Sequence, residues 1–487
     1  MKFSENNYLI KKFSNNIILI FLFVILIILV FYRDVVIDEG IYLYIGKLVA
    51  KGKLPYIDFL HPQGQMYALI LGLMSRIFTQ DLYINRIVVA ICSFIGILLL
   101  GRVARNIGNT KTETIYYLFN LTSVYVLAHY VVVTTYAIAF LFLSLSIYFA
   151  IYKYKPILSC TLIIIASLIR LSIISIVPLF IFYFISKSSD KKKLLLRVLI
   201  ITILIYSVFF IPFILKSYDT FIYDIITAHT NFVNLPTRIL IMLDTLIVNL
   251  KDYSILLTCT LILSILFIIK KRIGYKKEII FLFLIFFILM IVHLLPISNR
   301  GTHYNVLNIP VLFIIIGYFY NELFQIRKIG LYGLIFILIL NFVEQAVLVK
   351  KSSLFQNENP VDKIKLAAMY VDEKTDKSDT ILTFNTLLAT QANRNIPIEF
   401  TNDCFSYKKG FDTAKCKIYH LVNDDIFLTY INDNKIKLLA LGDFDLHQFG
   451  TDKKNILEAI RENGFIFTKQ FENFGQWHDN LYVYTRK

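Results

Sequence analysis

Apolar runs of about 18 or more residues recur through the first 350 positions, and such runs can hide their backbone only by spanning a lipid bilayer as helices. The first is NNIILIFLFVILIILVFY, at 15–32. Composition agrees: 57% hydrophobic and 15% aromatic residues, with a mean hydropathy of +0.64, exceed what a soluble chain can bury. The expected class is an α-helical polytopic membrane protein. A formal net charge of +16 would suggest nucleic acid in a soluble chain, but here Lys and Arg sit in short gaps between apolar runs, where they set topology. No nucleic-acid partner is expected. Lys2, Lys11 and Lys12 precede the first run, which is too long for a signal-peptide core and lacks a small-residue cleavage site. It reads as a retained anchor with a cytoplasmic N-terminus.

Marking the basic gaps as cytoplasmic gives about eleven spans. They fall at 15–32, at 84–103, in a run ending near 129–135, from there to Lys153, as two short passes within 156–185, and at 194–215, 253–269, 278–296, 304–320 and 329–348. The short passes keep KSSDKKK inside, and their turn must be buried against protein. The reading gives a transmembrane domain at 1–350 with a long outer loop at 33–83, and an extracytoplasmic domain at 351–487. In the latter, DTILTFNT, KIKLLALG and LYVYTRK read as strands, while PVDKIKLAAMYVDEK and TDKKNILEAIREN read as amphipathic helices, so a small α/β unit is expected. Cys404 and Cys416 either form a disulfide there or stay buried thiols. Neither an internal repeat, a Gly-rich phosphate loop nor a metal-type Cys/His spacing is visible.

The loop at 33–83 is long for a membrane bundle, which marks it as functional. Its adjacent acids, Asp38 and Glu39, precede apolar residues at helical spacing (Ile41, Ile45, Leu48, Val49). Asp38 is expected to cap an interface-lying amphipathic helix, and capping keeps a carboxylate ionised and able to accept a proton. Around the outer loops stand His61, Arg86, His229, Arg238, Arg300 and His303, where the positive-inside rule gives no reason for cations. Each has a bland account, snorkelling for the arginines and packing for the histidines. PISNRGTHYNVLNIP, however, puts Arg300, His303 and Tyr304 at the lip of a span, where they can grip a lipid phosphate.

The stretch IDEGIYLYIGKLVAKGKLPYIDFLHPQGQMYALI resembles the first outer loop of GT-C type glycosyltransferases, in the branch of aminoarabinose transferases and protein O-mannosyltransferases. Asp38, Glu39, Gly52, Tyr56, Asp58, Phe59 and Pro62 occupy the places of that pattern. The resemblance implies that Asp38 is the catalytic base acting with a polyprenyl-phosphate sugar donor, that Glu39 and Asp58 support it, and that His61, Arg86, Arg300, His303 and Tyr304 contact the donor phosphate. His229 is a further candidate. Two departures stand out. Thr134, Thr135 and Tyr136 occupy the start of the fourth span, where many members carry a second acid, and His61 stands where a Lys is common.

The expected reaction is inverting transfer of the sugar to a lipid, glycan or protein hydroxyl at the outer face of the cytoplasmic membrane. The residues point to no particular cofactor; a divalent metal could assist, but one or two carboxylates and a His give it no defined ligand set. A transporter or flippase for an anionic or lipid-linked substrate is the rival reading, with Arg170 as the main mid-span charge. A membrane scaffold is a third, which leaves the acidic loop unexplained.

Overall fold

The computed structural model describes residues 2–229, 235–271, 276–294, 302–324, 328–355, 359–474 and 480–486. Its first helix, α1 (Lys2–Tyr32), contains the opening apolar run. Then come α2 (Ile37–Ala50) and α3 (Gln65–Ile77) from the long loop, and α4 (Leu82–Ile107), which Asp81 caps by accepting hydrogen bonds from the Tyr83 and Ile84 amides at 2.8 and 3.2 Å. Among the described residues five helices are long and apolar enough to cross a bilayer, or six when a bent pair counts as one span. Four shorter apolar helices, Thr135–Ile151, Pro156–Ile169, Leu171–Lys187 and Ile309–Phe324, fall where the sequence reading placed further passes. The two short passes within 156–185 are a chain broken at Arg170, between Pro156–Ile169 and the 3-10 turn Leu171–Ile176.

Not expected was the helix Leu235–Asp252, bent by 78° against the next one. Arg238, Asp244, Asn249 and Lys251 interrupt its apolar residues, so a hydropathy window passes over it. The C-terminal region holds a four-stranded sheet of order β1-β2-β4-β3, formed by β1 (Thr380–Thr383), β2 (Ile436–Gly442), β3 (Phe465–Phe471) and β4 (Leu481–Arg486). β1 and β2 run parallel, and the other pairs are antiparallel. The edge strand β3 had no counterpart in the sequence reading: its side chains are mostly exposed and its register shifts between Phe467 and Lys469, so no alternation survives. The fold class is thus the expected one, a helical membrane bundle followed by a small α/β region.

Two tight approaches position the long loop. A Cβ on Gly64, the residue before α3, would lie 2.0 Å from the Leu168 carbonyl oxygen, so the loop rests directly on the chain just before Arg170. A Cβ on Gly40 in α2 would lie 2.6 Å from the Leu387 amide nitrogen, in the helix Thr386–Gln391 of the C-terminal region. Helix α2 is therefore not an amphipathic helix lying at a lipid interface. It is buried along most of its length, and its Lys47 reaches up to donate to the Arg394 carbonyl at 2.7 Å. Gly40→Ala is expected to cost about 1–3 kcal/mol, because the opposing atom is backbone and cannot turn aside. Thermal unfolding of the purified variant checks this, and an unchanged midpoint would show that the contact is looser than the structure has it.

Candidate active site

The first turn of α2 sets the geometry. Val36, not Asp38, is the residue before the helix, and the expectation that Asp38 caps it is corrected: Glu39 does the capping, its Oε2 accepting from the Val36 amide at 3.1 Å. Glu39 is fully buried and is also held by the Arg86 guanidinium through Nε to Oε1 at 2.8 Å and Nη2 to Oε2 at 2.5 Å. The remaining Arg86 donors go to the carbonyls of Val30, Arg33 and Asp34 at 3.0, 2.7 and 3.2 Å. All five of its N–H groups are then engaged. The expectation that Arg86 binds donor phosphate is corrected on this ground, since no donor is left to meet a ligand.

With Glu39 turned inward, Asp38 one position earlier is half-buried and faces two cavities. The larger, of about 510 Å³, is lined by Asp38 with Arg33, His129, Tyr136, His303 and Lys351. The smaller, of about 220 Å³, is lined by Asp38 with His61, Tyr223, Tyr304, Asn402 and Lys408. Desolvation raises the Asp38 carboxyl from its ordinary 3.8 to about 6, against the opposing pull of the Arg170 charge and with a further push from Glu39. A more open hollow of about 730 Å³ between 75–81 and 365–393 contains none of the candidate residues. There Asp81 and Lys365 neutralise each other at 2.8 Å.

Arg170 is the cation that the sequence reading did not place in the site. It stands at the break after the helix Pro156–Ile169 and donates to Thr135 Oγ1 at 2.8 Å and to the Tyr136 hydroxyl at 3.2 Å. Its guanidinium carbon lies 4.2 Å from the Tyr136 ring centre and 5.5 Å from that of Tyr304. The positions where many GT-C members carry a second acid therefore supply neutral hydroxyls to an arginine. Sequence alone held a signal for Arg170, an ionisable residue inside an apolar run.

His303 and Tyr304 are both brought to the site, but to different cavities. The His303 ring stacks on that of His129 at 5.9 Å and 2°, and it meets Tyr304 at 4.5 Å. His61 lines the smaller cavity, its amide donating to Asp224 Oδ2 at 2.7 Å and its Nε2 lying 3.4 Å from the Gly64 carbonyl. Burial pushes His61 down to about 4, so the ring is neutral near pH 7. His61 stays a candidate on the wall of this cavity, its buried Nδ1 without a hydrogen-bond partner among the described residues. Asp58 is not brought to Asp38: it closes a turn, accepting from the Leu54 amide at 2.8 Å and from Lys53 Nζ at 3.2 Å.

Arg300 lies outside the described residues, and so does the side chain of His229, whose backbone belongs to a short 3-10 turn. Asp224 is a second buried carboxyl beside the site, raised by burial, and nothing in the sequence marked it. Among the described residues no three of His, Cys, Asp and Glu converge as metal ligands, so a divalent metal is given no ligand set. Cys404 and Cys416 are free thiols, the alternative to the disulfide.

No family model and no curated protein matches the sequence. Solved structures do match. ArnT from Cupriavidus metallidurans in the apo state aligns with a TM-score of 0.62 at 11% identity, covering 94% of this chain and 96% of that one. ArnT bound to undecaprenyl phosphate gives 0.62 at 13%, covering 96% and 97%. The Archaeoglobus fulgidus oligosaccharyltransferase in complex with Zn and sulfate gives 0.52 at 11%, covering 96% of this chain and 73% of that one. Over nearly its whole length, the chain has the GT-C fold that these membrane glycosyltransferases share.

Proposed function

We propose that the protein is an inverting glycosyltransferase of the cytoplasmic membrane, multi-pass with its N-terminus inside. It takes a sugar from a polyprenyl-phosphate donor and passes it to a hydroxyl of a lipid, glycan or protein on the outer face. The observation that carries this reading is the place of Asp38, a carboxylate shared by two cavities. A base between two chambers can receive a proton from an acceptor in one while a donor is held in the other. The smaller cavity suits the donor. Tyr56, whose ring lies 5.8 Å from that of His61 on the cavity wall, packs on Phe213 of the helix Lys191–Lys216, and that helix keeps Ile200, Ile203, Leu204, Val208 and Leu215 exposed as a lipid-facing track for a polyprenyl tail. The likeness to a structure bound to undecaprenyl phosphate supports the same donor class.

In the reaction Asp38 removes the proton from the acceptor hydroxyl as its oxygen attacks the anomeric carbon. The bond from that carbon to the phosphate oxygen breaks, and polyprenyl phosphate leaves with the electron pair. Arg170, held in place by Thr135 and Tyr136, and Tyr304 on the wall of the smaller cavity stabilise the negative charge that develops. The domain at 1–350 supplies the base, and the region at 351–487 closes the smaller cavity. The direct test is incubation of purified full-length protein with a polyprenyl-phosphate sugar and membrane acceptors: transfer with inversion supports the reading, and uphill or exchange transport of the donor without transfer overturns it.

The raised Asp38 gives a pH signature. The base works only when ionised, so kcat/KM is expected to rise with pH through about 6 and level off above it. Stability runs the other way. Between 3.8 and about 6 the folded state binds more protons than the unfolded one, so this group's stabilising effect is complete below that window and is lost as pH rises through it. A kcat/KM profile flat from about pH 5 to 8 would count against Asp38 as the base.

A further inference from the structure

We propose that Lys408, from the C-terminal region, is the side chain that meets the donor phosphate in the smaller cavity. The inference rests on the reading of the chain as a polyprenyl-phosphate-dependent transferase, and it adds a residue that the first-loop motif does not contain.

Three observations converge on it. First, among the described residues lining the smaller cavity Lys408 is the one standing cation, and Asp38 is the one carboxylate. His61 is neutral there, and Arg86 is fully engaged elsewhere. Arg170 acts on Asp38 from outside this lining, so the cation on the chamber's own wall is Lys408, and its charge offsets the repulsion between Asp38 and a phosphate held there.

Second, the backbone of Lys408 is fixed while its ammonium is not. The Lys408 amide donates to the Val422 carbonyl at 2.8 Å, and the Val422 amide donates to Ser406 at 2.9 Å. Tyr407 and Val422 form an isolated bridge. No hydrogen bond or ion pair of the Lys408 ammonium exists among the described residues. The next residue shows the contrast: Lys409 is held by the Phe449 carbonyl at 2.9 Å and by Asp452 at 2.6 Å. One lysine of the pair is spent on the fold, and the other is presented to the cavity.

Third, the Lys408 side chain is exposed, so its ammonium can turn to an arriving anion, and the downward push of desolvation on it is partly opposed by Cys404. An accessible ammonium without a counter-ion can exchange some of its water for phosphate oxygens. Its three rotatable donors on a flexible stem suit a phosphate as a point charge.

The test uses full-length protein in detergent and compares binding of undecaprenyl phosphate with binding of undecaprenol, which lacks the charge. Wild type is expected to prefer the phosphate. Lys408→Ala and Lys408→Gln are expected to lose about ten-fold or more of that preference while still binding the alcohol, and Lys408→Arg to keep most of it. Retained preference in both neutral variants, each confirmed as folded by size-exclusion and thermal unfolding, overturns the role of Lys408 and leaves the transferase reading standing. A wild type with no preference for the phosphate overturns both.

Discussion

Arg86→Ala is expected to lose most of its folded protein, with a cost of about 3–5 kcal/mol, because it leaves the Glu39 carboxylate buried without its partner. Both side chains are completely shielded from solvent, and the guanidinium also ties α2 to the last turn of α1 through the Val30 and Arg33 carbonyls. Arg86→Lys keeps the charge but offers three donors against five acceptor contacts, so an intermediate loss is expected. Replacing both partners by apolar residues of similar volume should recover part of the stability, since no orphaned charge remains. Thermal unfolding and the yield of monodisperse protein read this directly. Near-normal stability together with a weakened apparent affinity for donor would return Arg86 to the phosphate.

Asp38→Asn is expected to lower turnover about a hundred- to ten-thousand-fold, the usual worth of a positioned base. The fold should be untouched. Asp38 does not cap α2, because Glu39 does, and the surroundings already disfavour the charged form of Asp38. A neutral amide therefore relieves a small unfavourable burial, and the unfolding temperature near pH 7 should hold or rise slightly. Loss of turnover with retained stability identifies a chemical group, whereas parallel loss of both would identify a structural one. Near wild-type turnover would remove Asp38 from the mechanism.

The sequence exposed the parts of this protein that local rules govern. Long apolar runs marked α1, α4 and several later helices, and apolar runs of strand length marked β1, β2 and β4, because each needs only neighbouring residues to be recognised. The helix Leu235–Asp252 and the strand β3 escaped, since their polar residues break the pattern and tertiary contacts supply the rest. At the candidate site, the motif in the first loop singles out the first turn of α2, yet its residues alone do not show that Asp38 and Glu39 have different environments. One faces the cavities and the other is locked to Arg86. That division depends on where α4 lies, information absent from the loop. Arg170 and Lys408 come from segments about 130 and 370 residues from Asp38 in the chain; only the folded arrangement sets Arg170 where its charge acts on Asp38 and Lys408 on the wall of a cavity that Asp38 also lines.

The contact of Gly40 with Leu387 bears on how such a protein can be divided or inherited. Sequence suggests two modules with a seam near 350, but the helix carrying Asp38 takes one wall from Thr386 and Leu387, and its smaller cavity is completed by Asn402, Phe405 and Lys408. The seam in the chain is not a seam in the machine. A C-terminal region exchanged for that of a relative would arrive with a different wall against α2, so specificity and assembly must change together. Substitutions in the two halves would then be expected to accumulate in matched pairs across that single glycine-sized gap.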